Sequence, residues 1–179
     1  MRRSIVRGAI AAGLLTASLP SFAAAQQTKS ASVGKELVQL LEQKKLDSIA
    51  AKVPTGTDHF AAALYFPGVQ LLVVSGQYTA PQLLEPKLAQ KQYRDTYMEL
   101  SGTVTPATKI FVQDMGAPGL SQKKQDGMFD TWTQAGKPTM FDGEPDKQKI
   151  SDQDYLKSFT AADEEYSKIL SALLTEAKK

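Results

Sequence analysis

The residues best suited to contact a ligand or a partner lie in one short acidic segment near the C-terminal third of the chain. Asp142, Glu144 and Asp146 alternate as the first ligands of a calcium loop do. The sixth position of such a loop would hold Lys147 instead of Gly, and the twelfth would hold Gln153 instead of Glu, which excludes an EF-hand. We therefore interpret the segment as a solvated contact loop, with a weak, irregular cation site as the alternative.

Two aromatic residues fall on predicted strands close to this acidic segment. Trp132 and Phe141, together with Tyr78, could stack a planar ring at a sheet edge, so flavin or haem bound without a short motif remains an alternative. A single tryptophan flanked by threonines is also typical of ordinary cross-strand packing. The predicted ligand- or partner-binding residues are therefore Trp132, Phe141, Asp142, Glu144 and Asp146.

The side chains that could do nucleophilic chemistry lack the neighbours that such chemistry needs. His59 is the only histidine and follows Asp58, but one histidine is too few for a typical zinc site. Ser75 is flanked two residues away by Val73 and Gln77, where a nucleophile elbow requires glycine on both sides. We interpret His59 as the end of a loop and Ser75 as a turn residue.

Carboxylates and glycines give no further assignment. The aspartates near predicted strand ends, such as Asp114, Asp126 and Asp130, cannot be set at a working distance from the sequence. The glycines match neither a Walker loop nor a dinucleotide fingerprint. We assign no catalytic residue, no metal ligand and no cofactor, and non-catalytic binding is favoured over catalysis.

The N-terminus has the pattern of a secretory signal peptide. Three arginines precede an apolar stretch from Gly8 to Leu19, and the small-residue pattern at Ala23 and Ala25 predicts cleavage after Ala25. The apolar stretch is shorter than the roughly 20 residues that a membrane span needs. Arg2-Arg3 is also compatible with a twin-arginine signal, so general and twin-arginine export both remain open. The predicted location is the periplasm or the exterior.

Charge and cysteine content exclude several classes of partner. Without residues 1–25 the chain has 18 basic and 19 acidic residues, a net charge of −1, which gives no electrostatic reason to bind nucleic acid. The chain has no cysteine, so it can form neither a disulfide-linked partner complex nor a thiolate metal site. No membrane span is predicted after signal cleavage. The expected partner is an unidentified protein or small-molecule ligand.

Among the elements that would position these residues, a β-hairpin has the clearest sequence pattern. Two apolar, β-prone runs, 60–66 and 69–75, are separated by the turn Pro67-Gly68, and both faces look covered. A second hairpin is predicted from 129–133 and 138–141, and a strand over 109–114 precedes it.

The helices are predicted from their apolar spacing. Ser32 is expected to cap an N-terminal helix that continues, bent or in two pieces, through Leu46, Ile49, Ala50 and Val53. A second helix is expected at about 80–92, and 93–100 fits a helix or a strand, with strand slightly favoured. The last helix begins after Ser151, and its buried stripe is Tyr155, Phe159, Ala162, Tyr166, Ile169, Leu173 and Ala177.

These elements predict an α+β fold, a central antiparallel sheet with helices packed on it, in the order α-β-β-α-β-β-β-α. The predicted organisation is a signal peptide over residues 1–25, a flexible leader over 26–32 and one domain over 33–179. The function expected is that of an exported binding or interaction module, and the alternative is an exported enzyme or a carrier of flavin, haem or metal.

Overall fold

One antiparallel sheet carries the fold, and two helices contribute to the core on one of its faces. The structure is a computed structural model, and it describes residues 28–54, 59–77, 97, 110–122, 130–134, 137–138 and 151–179. Helix α1 (Lys29–Lys44) is followed by strands β1 (Ser48–Lys52), β2 (His59–Phe66), β3 (Gln70–Gln77), β4 (Ile110–Met115), β5 (Thr131–Gln134) and β6 (Lys137–Pro138), and then by helix α2 (Asp152–Ala177).

The strands pair in chain order, from β1 to β6, and each is antiparallel to the strand before it. This confirms the α+β class. The finer order differs in detail, because β1 replaces a predicted helical piece. The helix predicted at about 80–92 lies outside the described residues.

The first predicted hairpin is confirmed as β2 and β3. Gly68 has a φ of +70° in the connecting turn, a value that glycine adopts without a Cβ clash. The turn is closed by the Val69 N–H, which donates to the Phe66 carbonyl at 2.9 Å. Phe66 lies opposite Gln70, so the loop has three residues, and this sets the register that brings Ala61 opposite Ser75.

Both faces of this hairpin are buried, as the sequence predicted. Alternate residues of each strand point to opposite faces, so the face that α1 and α2 cover collects one half of each strand. That face forms the larger core and includes Ala61, Val73 and Val112. The other face forms a second cluster with Phe60, Ala62, Leu64, Val74 and Tyr97.

Strand β1 corrects the prediction that the first helix continues through residues 46–53. Helix α1 ends in a Schellman arrangement, in which the Leu46 N–H donates to the Leu41 carbonyl at 2.8 Å and the Lys45 N–H donates to the Glu42 carbonyl at 3.2 Å. Lys45 has a φ of 55°, which turns the chain out of the helix. The segment that follows gains sheet pairing with β2, from Ser48 opposite Leu64 onwards, and tertiary pairing overrides its helical spacing.

The start of α1 corrects two further predictions. The N-cap is Thr28, not Ser32, and the helix begins at Lys29, so residues 29–32 of the predicted leader are helical. Ser30 is fully buried there. The sequence places small polar residues throughout this stretch, so it gives no local signal for which of them starts the helix.

Helix α2 confirms the strongest helix prediction. Ser151 is its N-cap, and its side chain accepts a hydrogen bond from the Asp154 N–H at 3.1 Å. The predicted stripe is buried from Phe159 to Ala177, while Tyr155 is half-buried. Of the ambiguous segment 93–100 only Tyr97 is described, and its helical, buried state contradicts a strand at that residue.

Candidate functional site

The predicted contact residues are only partly described. Trp132 lies on β5 opposite Val112, and its residue is 3% exposed within the larger core. Its side chain is therefore packed in the larger core and is not available at the surface to stack on a ligand. Phe141, Asp142, Glu144 and Asp146 lie outside the described residues, and their binding role stays a prediction.

The structure brings together two residues that the sequence analysis treated separately. His59 Nε2 lies 2.7 Å from Ser75 Oγ, across the β2–β3 pairing. The register explains the contact, because Ser75 lies opposite Ala61 and His59 is two residues from Ala61 on the same face. Burial lowers the pKa of His59, and the charge of Glu165 on α2 opposes this shift.

A serine next to an imidazole is the beginning of a nucleophilic site, but this pair is not open to a substrate. Ser75 has no exposed surface, and a nucleophile must reach the atom that it attacks. In this conformation the pair joins β2 to β3. The contact between His59 and Ser75 could have been predicted only with the exact hairpin register. The predicted two-residue turn shifts that register by one residue, because the observed loop has three residues.

Two buried carboxyl groups, Asp114 and Asp130, form a second cluster at the ends of β4 and β5. Asp114 Oδ2 accepts hydrogen bonds from the Tyr166 hydroxyl and the Gly119 N–H, both at 3.0 Å. Asp130 accepts from the Met115 N–H at 2.8 Å and from the backbone N–H of residue 121 at 2.5 Å. The two groups fasten the loop after β4 to the sheet and to α2.

The buried environment makes both carboxyl groups harder to ionise than exposed carboxyl groups are. Burial raises the pKa of Asp114 well above its usual value, and the charge of Asp130 raises it further. Burial also raises the pKa of Asp130 to about 6, although its two backbone donors act in the opposite direction. Asp114 Oδ1 has no hydrogen-bond partner among the described residues, so a negative charge on this oxygen would be poorly compensated.

A third buried carboxyl group, Asp163 on α2, caps the other helix. It accepts from the Lys29 N–H at 2.8 Å, from the Ser30 N–H at 3.0 Å and from the Ser30 hydroxyl at 2.5 Å. A carboxylate at a helix N-terminus satisfies donors that have no partner inside the helix. Ser30 Oγ in turn accepts from the Leu120 N–H at 2.8 Å, so this network also anchors the loop after β4.

A groove lies on the described surface between the end of β1 and the C-terminal half of α2. Its volume is about 600 Å³, within the range of ligand pockets. Small side chains, Ala51 and Ala172, form part of the lining, and three lysines, Lys52, Lys168 and Lys179, also line it. The Lys52 ammonium lies 5.9 Å from the centroid of the Phe60 ring, which belongs to the cluster on the other face of the sheet. The ammonium groups of the groove are therefore those of Lys168 and Lys179, and Glu176 is the one acidic residue of the lining.

Lys168 and Lys179 each form an exposed ion pair along α2. Lys168 lies 3.4 Å from Glu165, and Lys179 lies 2.7 Å from Glu176, in exposed pairs one helical turn apart. The Lys168 and Lys179 side chains are 56% and 71% exposed. Such surface pairs contribute little energy, so an incoming anion can compete for these ammonium groups.

Hydroxyl groups follow the same side of α2. Ser171 Oγ donates to the Ser167 carbonyl at 2.7 Å, and Thr175 Oγ1 donates to the Ser171 carbonyl at 2.8 Å. Each hydroxyl has its proton directed at the helix backbone, so the lone pairs that remain can only accept a hydrogen bond. The groove therefore combines cationic groups with hydrogen-bond acceptors.

The described ranges contain neither a candidate metal-binding cluster nor a candidate membrane-spanning helix. No group of three or more histidine or carboxylate residues that could hold a metal ion occurs in them. Among the described helices, neither has the length together with the apolarity that crossing a membrane requires.

The fold and the groove define a small α+β protein with a basic surface groove. Comparison of the chain with known protein families, with curated proteins and with solved structures found no match. The assignment of function must therefore come from the geometry.

Sequence reasoning missed the groove. Its lining comes from β1, which was predicted as helix, and from the side of α2 that carries no apolar stripe. The signal that could have found it is the spacing of Ser167, Ser171 and Thr175, which places three hydroxyl groups on one line of the helix.

Proposed function

We propose that this chain is an exported, non-catalytic binding module that holds an anionic ligand in the groove between β1 and α2. The observation that carries the proposal is the groove itself, which has a volume of about 600 Å³ and is lined by the exposed lysines Lys168 and Lys179 and by one glutamate. Clefts of this size commonly bury a small ligand, and an excess of one charge attracts the opposite charge.

Export is supported by the sequence alone. The clustered arginines, the short apolar stretch and the pattern ending at Ala25 are those of a cleaved secretory signal. The proposed location is the periplasm or the exterior, with processing after Ala25.

Binding is favoured over catalysis by the positions of the perturbed groups. Asp114 and Asp130 have the raised pKa values that catalytic acids often show, but neither lines the groove and both are buried. They accept hydrogen bonds from the Met115 and Gly119 N–H groups and from the Tyr166 hydroxyl. These contacts support a structural role.

The proposal is tested by NMR titration of the exported, processed chain with citrate, a small tricarboxylate. We expect the amide signals that shift to cluster along residues 167–179 and 51–54, and Lys168→Gln to weaken the response. The control is Lys157→Gln, the same change on an exposed part of α2 that does not line the groove. No shift, or equal shifts in both variants, would contradict anion binding in the groove.

Export is tested by fractionating cells and sequencing the N-terminus of the mature chain. A chain that begins at Gln26 outside the cytoplasm supports the proposal, and an uncleaved cytoplasmic chain contradicts it. The absorbance spectrum of the same preparation addresses the carrier alternative, because bound flavin or haem would be visible.

The second candidate is an exported enzyme, and the His59–Ser75 contact of 2.7 Å favours it. This candidate requires an opening that exposes Ser75. A serine-reactive fluorophosphonate should then label the chain, and Ser75→Ala should abolish the label. An unlabelled wild-type chain would count against the enzyme.

A further inference from the structure

We propose that the ligand of the groove is an extended acidic segment of polypeptide, which lies along the C-terminal half of α2. This inference rests on the proposed anion-binding function and goes further by naming the class of ligand. Three features of the groove carry it: its length, the state of its hydroxyl groups and the size of its lining side chains.

The length of the groove exceeds that of a small anion. Lining residues run from Ser167 to Lys179, which corresponds to about 18 Å along the helix axis at 1.5 Å per residue. Lys168 and Lys179 are therefore about 16 Å apart along the axis. An extended peptide spans this distance with about five residues, so acidic side chains near its two ends can reach both ammonium groups.

The hydroxyl groups select for a ligand that also donates hydrogen bonds. The protons of Ser171 and Thr175 are directed at helix carbonyls, and their free lone pairs can only accept. Peptide N–H groups are donors and match these acceptors. Phosphate oxygens of a polyphosphate or a nucleic acid backbone are acceptors, so they could bind these hydroxyls only if the hydroxyl protons turned away from the helix carbonyls.

The small lining residues allow a backbone to approach closely. Ala51 is only 2% exposed, so the close approach is at Ala172, which has only a methyl group to place between a ligand and the protein backbone. Pro54 adds a rigid apolar contact. Main-chain atoms of an extended peptide can therefore approach the wall of the groove, while its acidic side chains point outward to the lysines.

The test is fluorescence anisotropy with a labelled hexaglutamate peptide and the processed chain, at low and high salt. We expect binding that weakens at high salt, because the exposed charges are screened. Lys168→Gln should weaken binding by about two- to fivefold. Lys157→Gln, which leaves the groove unchanged, should bind as the wild type does.

A matched pair of threonine variants tests the hydrogen-bond acceptor. Thr175 and Thr160 both donate to the carbonyl four residues earlier at 2.8 Å, but only Thr175 lines the groove. Thr175→Val should weaken hexaglutamate binding by about threefold to tenfold, and Thr160→Val should leave it unchanged. Thermal melts of both variants confirm that each is folded.

The competing ligand classes give different outcomes. If polyphosphate binds as tightly as hexaglutamate and Thr175→Val has no effect, the peptide inference is overturned while anion binding stands. If citrate binds in the groove but hexaglutamate does not, the peptide inference is likewise overturned. If neither citrate nor hexaglutamate binds, the proposed function itself fails.

Discussion

The buried carboxyl group of Asp130 makes a prediction about how stability depends on pH. Its folded-state pKa is raised from the ordinary value of 3.8 to about 6, which corresponds to about 3 kcal/mol at 1.36 kcal/mol for each unit of pKa. The folded chain therefore binds this proton more tightly than the unfolded chain. The resulting stabilisation is fully present below about pH 4 and is lost as the pH rises through about 6.

Acidification from about pH 7 to about pH 5 should thus stabilise the chain at this site. Burial raises the pKa of Asp114 as well, which acts in the same direction. His59 opposes them, because its pKa is lowered from 6.5, so its contribution to stability is lost as the pH falls. The net gain should be smaller than the full 3 kcal/mol and should reach about 1–2 kcal/mol.

Urea unfolding at several pH values measures this effect, and the single tryptophan, Trp132, is a suitable probe because it is buried in the core. Asp130→Asn removes the titrating group, so its stability should rise less on acidification than that of the wild type. Asp154→Asn, a change at an exposed carboxylate, is the control. Parallel pH profiles for the wild type and Asp130→Asn would refute the reasoning, whatever the absolute stabilities.

Three substitutions test the contacts around α1 and the loop after β4, each by urea or thermal unfolding. Gly119→Ala should destabilise the chain by about 3 kcal/mol or more, because the added Cβ would lie 2.4 Å from the backbone nitrogen of Ala31 and Gly119 has a φ of +91°; a variant of wild-type stability would contradict this contact. Asp163→Ala removes the acceptor of three hydrogen bonds and should cost about 3 kcal/mol, whereas a loss below about 0.5 kcal/mol would show that the cap contributes nothing. Tyr166→Phe keeps the buried ring but removes the donor to Asp114 and should cost about 1 kcal/mol, and an unchanged melt would show that this bond adds no net stability.

The sequence correctly predicted those helices and strands whose pattern and end signals lie within the segment itself. The hairpin of β2 and β3 and the helix α2 each combine a long apolar pattern with an end signal, Pro67-Gly68 in one case and Ser151 in the other. The prediction of a helix where β1 lies was wrong. The residues that stabilise β1 as a strand are its pairing partners on β2, and the local sequence around Ile49 is equally compatible with a helical stripe.

The polar contacts could not be predicted for a different reason. Asp163 and Ser30 are 133 residues apart, and Tyr166 and Asp114 are 52 residues apart. Aspartate and serine are most often surface residues, so nothing local indicates that Asp114, Asp163 and Ser30 are buried. Their partners are decided by how α1 and α2 pack, which only the tertiary structure provides.

Because of this packing, the residues that stabilise α2 and the residues that line the groove lie on different sides of the helix. Tyr166, Ile169 and Leu173 point into the core, whereas Lys168 and Thr175 line the groove on another side of the helix. Substitutions on the two sides share no direct hydrogen bond and should have nearly additive effects on stability. Loss of ligand binding by Thr175→Val can therefore be assigned to the groove, because the core contacts of α2 remain intact in that variant.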